Sequence, residues 1–247
     1  MKWGYTQLVC PYESWDQTLV RKIFNEVVNI KKCGYGHNYK DVLPVETLDF
    51  ISDHYLVWIE NNGKREYISG MKGISLKKLK QYNLELPCIS LLNSIKTVSS
   101  IKEHLDSLEI MISQYSDVED KVNYFNGWTI KPEYRGRDES SQILKLASVA
   151  CITFVQEELG FKRLGLGSGM PHLKTDKVFE EMGYASWQLH GEELPPLKSP
   201  SYNMRETLFM QGTSTPLVYL NKVDFLKKHW EDREMLGHIN KIDKAAA

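Results

Sequence analysis

The sequence predicts an α/β protein built on a mixed sheet with helices around it. Three observations predict it. Val20, Ile23, Phe24, Val27 and Val28 recur at helical period as one apolar stripe. Two strand-like runs, Tyr55–Glu60 and Glu66–Met71, flank Asn61-Asn62-Gly63-Lys64, a hairpin turn signal. From Val122 to Leu166 a strand, a sharp turn, a long helix and a second strand follow one another. That order predicts two parallel neighbouring strands joined by a crossover helix.

The elements follow in chain order. The stretch Met1–Trp15 has no basic flank before a long apolar run, so it is not read as a signal peptide. Ser14 and Gln17 have capping-box spacing, which starts the first helix after Ser14 and ends it near Lys32, before Gly34 and Gly36. Residues 37–50 read as a loop and a short helix, Val45–Ile51. After an apolar run at Ile89–Leu92, Val98–Tyr115 reads as a helix with Ile101, Leu105, Leu108 and Ile112 on one face. Val122–Lys131 is a strand stopped by Pro132. The helix Asp138–Leu159 ends at Gly160, and its centre, Ile143–Val155, is apolar nearly all round, so it is expected to be buried. Phe161–Leu166 is the next strand. Thr175 caps a short helix through Met182, with Gly183 just past its end. Pro195, Pro196 and Pro200 break residues 184–220 into strands and loops, and Asn221–Leu236 reads as a terminal helix. Residues 1–244 are expected to form one domain, and Ala245–Ala247 reads as an appended tail.

Composition narrows the function classes. The chain has 247 residues, 42% of them hydrophobic, enough for a sizeable core. A formal net charge of -1 gives no long-range field for nucleic acid. Lys77, Lys78 and Lys80, and Lys227 with Lys228, read as solvated faces. Cys10, Cys33, Cys88 and Cys151 form no CxxC pair, so neither a metal nor a redox motif is expected, and a reduced, cytoplasmic setting fits. No run approaches the roughly 18 apolar residues of a membrane span.

The stretch that carries chemistry is Trp128-Thr129-Ile130-Lys131-Pro132-Glu133-Tyr134-Arg135-Gly136-Arg137. A strand that turns sharply into a buried helix exposes free backbone N–H groups and the positive end of the helix dipole, a ready site for a pyrophosphate. Arg135 and Arg137 stand beside it to add charge-assisted bonds. The alternative is structural: Asp138 and Glu139 cap the helix, and the arginines pair with Glu133 or Asp138. A second glycine pattern, Gly165-Leu166-Gly167-Ser168-Gly169, matches nucleotide and S-adenosylmethionine loops, but Arg163 and Leu164 stand where an acidic residue would precede it.

The run Pro132–Arg137 resembles the acyl-CoA motif of the GCN5-related N-acetyltransferases (GNAT), an Arg/Gln-x-x-Gly-x-Gly/Ala loop after a strand. Thr175–Tyr184, TDKVFEEMGY, resembles the short helix and MGY ending found downstream in that family; the likeness covers about residues 120–186. It implies a mostly antiparallel central sheet with one parallel, splayed strand pair, at which the glycines of residues 165–169 would admit a pantetheine arm. It also implies acetyl-CoA or another acyl-CoA as donor, or an acyl-carrier-protein thioester, and a small-molecule or peptide amine as acceptor, and it leaves room for a homodimer. The implied donor site is Trp128, Thr129, Ile130, Arg135, Gly136, Arg137, Asp138, Ser140 and Ser141. His172 and Glu133 are the candidate bases. Asp138 and Ser140 stand where the family prefers glycine or a small residue, and Phe179 where many members carry a tyrosine acid. No carboxylate lies on Val122–Lys131, where some members keep a base. These departures keep a second reading open, a GNAT-shaped binding or structural protein without turnover.

Overall fold

The computed structural model describes residues 2–35, 45–95, 101–200 and 203–237. Gly36, Val98, the loop at 37–44 and Ala245–Ala247 lie outside the described residues. β1 (Trp3–Val9) leads through a 3-10 turn at Pro11–Ser14 into α1 (Thr18–Tyr35) and α2 (Thr47–Ile51). β2 (Asp53–Asn61) and β3 (Lys64–Ser75) follow, then α3 (Leu76–Gln81), α4 (Pro87–Ser94) and α5 (Ile101–Ser113). β4 (Val122–Ile130), α6 (Glu139–Leu159), β5 (Leu164–Gly169) and α7 (Thr175–Glu181) come next. Short strands β6 (Ala185–Ser186), β7 (Gln188–Leu189), β8 (Glu192–Glu193) and β9 (Leu197–Ser199) precede β10 (Arg205–Gly212), α8 (Leu217–Glu231) and β11 (Glu234–Gly237).

The chain divides into two compact units. One comprises the residues up to Gly73, Gly127–Phe154 and the chain from Val223; the other comprises Ile74–Asn126 and Val155–Lys222.

In the first unit the strand order is β11-β1-β2-β3-β4. β1 runs antiparallel to β2 and parallel to β11, and β2 runs antiparallel to β3. Asn61 pairs with Lys64 across a two-residue turn in which Asn62 (φ 51°) and Gly63 (φ 73°) are both left-handed, as the sequence signal requires. α1 lays Val20, Ile23, Phe24, Val27 and Ile30 on Leu8, Leu56, Trp58 and Tyr67 of the strands. Burying each such side chain contributes about 1.5–3 kcal/mol, so the stripe anchors the helix. Tyr5 and Trp230 pack edge to face, Phe154 stacks on Trp230, and the Tyr5 hydroxyl donates to the Ala147 carbonyl of α6 at 2.9 Å.

Three expectations change in this unit, and one strand, β1, was not expected. α1 ends at Tyr35 instead of near Lys32, with Gly34 inside it, and it begins at Thr18, because the Gln17 N–H bonds the Ser14 carbonyl at 3.0 Å and closes the preceding turn instead. Arg21 covers the carbonyls of Trp15 and Asp16, at 2.6 and 2.8 Å. β1 had no alternating signal because it is buried on both faces. The terminal helix stops at Glu231, and Glu234–Gly237 adds a parallel strand to β1 where helix was expected.

In the second unit the order is β4-β5-β10-β6. β4 and β5 are parallel, as predicted, while β10 runs antiparallel to β5, β6 and β9. The β4–β5 pairing covers Val122↔Leu164 to Tyr124↔Leu166. β5 begins later than expected. Gly160 (φ 70°) and Lys162 (φ 57°) turn the chain first, and Phe161 is left 96% exposed. The buried side of α5 is His104, Ser107, Leu108 and Met111 rather than Ile101, Leu105 and Ile112. A polar residue can take that face because Ser107 donates to the Gln188 carbonyl at 2.8 Å, while His104 packs edge to face on Phe209.

Candidate functional site

β4 turns twice at its end. Gly127 has φ 70°, a left-handed conformation inside a strand that suits glycine and bends the pleat. Beyond it the side chains diverge. Trp128 donates from Nε1 to Ser148 Oγ of α6 at 2.9 Å. Thr129 is buried; its carbonyl accepts from Ser69 Oγ at 2.9 Å, while its hydroxyl has no partner among the described residues. Lys131 N–H bonds the Ile68 carbonyl at 2.9 Å and holds the strand end against β3.

Pro132–Tyr134 then forms a 3-10 turn pinned to β3 through Glu66. Tyr134 donates to Glu66 Oε2 at 2.9 Å and Lys131 Nζ to Oε1 at 3.1 Å. Burial pushes Glu66 up, but the bonds from Lys131 and Tyr134 outweigh it and hold it below the usual carboxylate range. Burial, with the bond to Glu66, pushes Tyr134 up to about 12.

The predicted donor residues fall into two groups. Arg135 is occupied inside the protein: Nε donates to the Ile130 carbonyl at 2.9 Å and Nη2 to the Gly34 carbonyl at 2.8 Å. Asp138 caps α6, accepting Ser141 N–H at 3.0 Å and Ser141 Oγ at 2.6 Å, which lowers its pKa. A side chain at Gly136 would meet that carboxylate at 2.5 Å. Arg137, Glu133 and Ser140 are exposed, Ser141 and Ile130 buried. Arg137 makes no bond to another described residue. Sequence reading missed Lys145, which donates to the Gly136 carbonyl at 2.9 Å and brings a further cation to the loop.

The other face of the same strand borders a small gap, with room for about one water, lined by Val27, Ile30, Lys31, His54, Gly70, Met71, Lys72, Gly127 and Thr129. Beneath it lies a buried ion cluster. Asp49 accepts from Lys31 Nζ at 2.6 Å on both oxygens, from Lys72 Nζ at 2.9 Å and from Glu46 N–H at 2.9 Å. Lys72 also pairs with Glu46. Burial pushes the Asp49 carboxyl up, but Lys72 and Lys31 outweigh it and hold it at about 2. Burial and then Lys72 lower the pKa of Lys31. Burial pushes His54 down to about 4, so it is neutral, and its Nε2 lies 2.6 Å from the Asp49 carbonyl. A signal for this cluster was present: Lys31 sits one helical turn after Val27 on the apolar stripe, and Lys72 alternates with Gly70 and Ile68 on one side of β3.

In the second unit, His172 lies exposed in a 3-10 turn at Pro171–Leu173; burial first, then Arg205, lowers its pKa. The glycines after Leu164 form a strand, not a loop, which removes the nucleotide-loop reading. Their missing side chains make room for protein. A Cβ at Gly165 would meet Gln156 and Tyr184 at 2.0 and 2.2 Å, and one at Gly167 would meet the Phe179 ring at 3.0 Å. The expected pantetheine approach at Gly165 and Gly167 is therefore corrected: side chains of this chain occupy those spaces. Among the described residues no group of three His, Cys, Asp or Glu is placed to hold a metal, and no helix is long and apolar enough to cross a membrane.

Neither a protein-family model nor a curated protein sequence matches the chain. Solved structures do. A CoA-dependent acyl-homoserine lactone synthase, BjaI, determined with SAM and isopentyl-CoA, superposes with a TM-score of 0.55 at 9% identity, covering 99% of this chain and 98% of its own. The CoA-dependent acyl-homoserine lactone synthase MesI gives 0.50 at 11% identity, over 90% and 95%. The chain has a GNAT-like fold. Its mixed sheet, flanked by helices, is that of the GNAT neighbours, with the parallel β4–β5 pair followed by the antiparallel β10. At this identity the GNAT likeness fixes the architecture and leaves the chemistry to the residues.

Proposed function

We propose that the chain is an acyltransferase, one GNAT-like domain that moves an acyl group from a CoA or acyl-carrier-protein thioester to an amine. The observation that carries this reading is the end of β4. The strand feeds a turn and the N-terminus of α6, with Arg137 exposed and Lys145 close by. A thioester held by that loop would meet the amine directly, and proximity supplies much of the rate of such a transfer. The amine nitrogen bonds the thioester carbon, the carbon–sulfur bond breaks, and the nitrogen loses its proton to a base while the thiolate leaves. Glu133 and His172 are the proposed bases; the lowered pKa of His172 keeps it neutral near pH 7. One neighbour, determined with isopentyl-CoA, favours the same donor class. Four free cysteines suit a reducing, cytoplasmic setting.

A second reading has its own observations. Phe179 is packed on Gly167 and Tyr184, and Asp138 holds a negative charge at the helix N-terminus where the phosphate would lie. Both fit a binding domain without turnover. A panel of acetyl-CoA, long-chain acyl-CoA and S-adenosylmethionine in thermal shift, with thiol release measured against an amine panel, separates the readings. Stabilisation by an acyl-CoA with thiol release supports transfer. Stabilisation without release against any amine favours the binding domain. No response to any CoA ester, with no acyl transfer from an acyl-carrier-protein thioester in the same amine panel, sinks the transfer reading.

A further inference from the structure

Asp176 is a buried carboxylate without a close counter-charge. The residue is 5% exposed, and its Oδ1 accepts no hydrogen bond from a described residue. Oδ2 has Lys177 Nζ at 4.0 Å, beyond hydrogen-bond reach. That lysine is engaged elsewhere: its side chain is 65% exposed, and it donates to both oxygens of Glu180 at 2.9 Å. The positive end of the α7 dipole, whose first turn holds Asp176, offsets only part of the cost of burying a charge. A buried carboxylate left in that condition points to a ligand that completes it.

The fold fixes where that ligand would sit. β5 is the second strand of the parallel pair, and α/β sheets take their ligands at the carboxyl ends of such strands. At that end Thr175 closes the chain back on the strand: its Oγ1 accepts from the Met170 N–H at 2.7 Å, and its N–H donates to the Met170 carbonyl at 3.4 Å. Asp176 follows at once and lies on β5. A Cβ at Gly169 would stand 2.6 Å from Asp176 Cα and 2.8 Å from Met210 Sδ. Gly169 is what allows that close approach, and the neighbour beside it is a thioether, not a cation. The Asp176 side chain keeps 7% exposure. Carboxylate charge is shared by both oxygens, so a cation at that edge compensates the whole group.

The donor set decides the class of cation. A metal ion needs several ligands, and among the described residues no group of three His, Cys, Asp or Glu supplies them. An ammonium needs one carboxylate. We propose that Asp176 holds the ammonium of a small primary amine at the carboxyl end of β5. That this amine is the acyl acceptor rests on the function proposed above; the ammonium site rests on Asp176 and its place in the fold.

The test is titration calorimetry on the full chain, with no CoA ester present, against n-butylamine, n-hexylamine and phenethylamine and the alcohol of matching skeleton for each. At least one amine is expected to bind, and its alcohol to bind about tenfold more weakly or worse, the scale of a charge-assisted bond. Asp176→Asn keeps the shape and removes the charge. It should weaken the amine by about tenfold or more and melt no lower than wild type, because the charge it removes has no close partner. If Asp176→Asn does not fold, the comparison of amine with alcohol decides alone. No binding by any of the amines, equal binding of the alcohol, or unchanged amine binding by Asp176→Asn overturns the proposal. A lower melt with unchanged amine binding would leave Asp176 a partner of the helix dipole only. The two readings fail separately. A chain that binds an amine but takes no acyl group from a CoA or acyl-carrier-protein thioester loses the acyl-transfer reading and keeps the site. A chain that acylates amines with the same KM in wild type and Asp176→Asn loses the site and keeps acyl transfer.

Discussion

Arg135 donates from Nη2 to the Gly34 carbonyl at 2.8 Å, joining the loop after β4 to the last turn of α1. With its second bond to Ile130, the guanidinium satisfies two carbonyls of the frame that holds the loop. Arg135→Ala should therefore cost stability, about 1–3 kcal/mol for the lost charged bonds, read from urea melts. Arg137 carries no such duty. Arg137→Ala should leave the melt unchanged and weaken acyl-CoA binding in calorimetry, more so at low salt. The reverse pattern would make Arg135 the ligand cation.

The same corner predicts a steric coupling. A Cβ at Gly34 would stand 1.7 Å from Thr129 Oγ1 and 3.0 Å from its Cβ. Gly34→Ala should destabilise by about 1–3 kcal/mol through overpacking, despite the better helix propensity of alanine. Thr129→Ala removes the nearer atom, so the double variant should recover part of the loss. Additive effects in the double-mutant cycle would show that the two residues do not meet.

These contacts mark how far the sequence could be read. The hairpin was legible because Asn62 and Gly63 adopt the local conformation their own chemistry favours. α6 was legible because its apolar centre and Gly160 mark its body and end. β1 was not, since burial on both faces erases alternation. The roles of Arg135 and Asp138 were not legible either. An arginine beside a phosphate and one beside two carbonyls look alike until the fold brings Gly34 near. The ion cluster left a weak trace, a lysine on an apolar stripe, but its partners Asp49 and Lys72 lie 18 and 41 positions away along the chain and only the fold joins them.

Asp138 offers a test of the loop itself. Its carboxylate caps α6 through Ser141 and stands where an anion on the helix N-terminus would sit. Asp138→Gly should lower the melting temperature and, if the pyrophosphate lies there, tighten acyl-CoA binding. A lower melt with unchanged affinity would leave Asp138 a cap and move the phosphate elsewhere.

His54 gives a pH dependence with a definite sign. Burial holds its folded pKa at about 4, below the ordinary histidine value of 6.5. The unfolded chain therefore binds the proton first. Stability from this group is complete above pH 6.5 and is lost as pH falls from 6.5 toward 4, by about 3 kcal/mol. Asp49, at about 2, loses its contribution only below its unfolded value of 3.8. Urea melts at stepped pH should show a slope between pH 6.5 and 4 that His54→Gln flattens. An unchanged slope in that variant would assign it to another group.

Phe179 closes the mechanistic question. The GNAT resemblance would place it where many members carry a tyrosine able to protonate the leaving thiolate, so Phe179→Tyr invites the expectation of a faster enzyme. The packing argues otherwise. The ring is 6% exposed, meets Tyr184 edge to face at 4.9 Å, and has its para carbon 3.1 Å from where a Gly167 side chain would begin. A tyrosine hydroxyl adds an atom to a ring already packed on Gly167 and Tyr184, and overpacking of that kind costs about 1–3 kcal/mol. Phe179→Tyr should therefore fold less stably and release thiol no faster than wild type at equal acyl-CoA affinity. General-acid help is worth about 10²–10⁴-fold, so a hydroxyl in reach of the sulfur could not go unnoticed in that assay. A clear rise in kcat with unchanged affinity would put residue 179 beside the thioester and require the ring to leave the packing that now holds it.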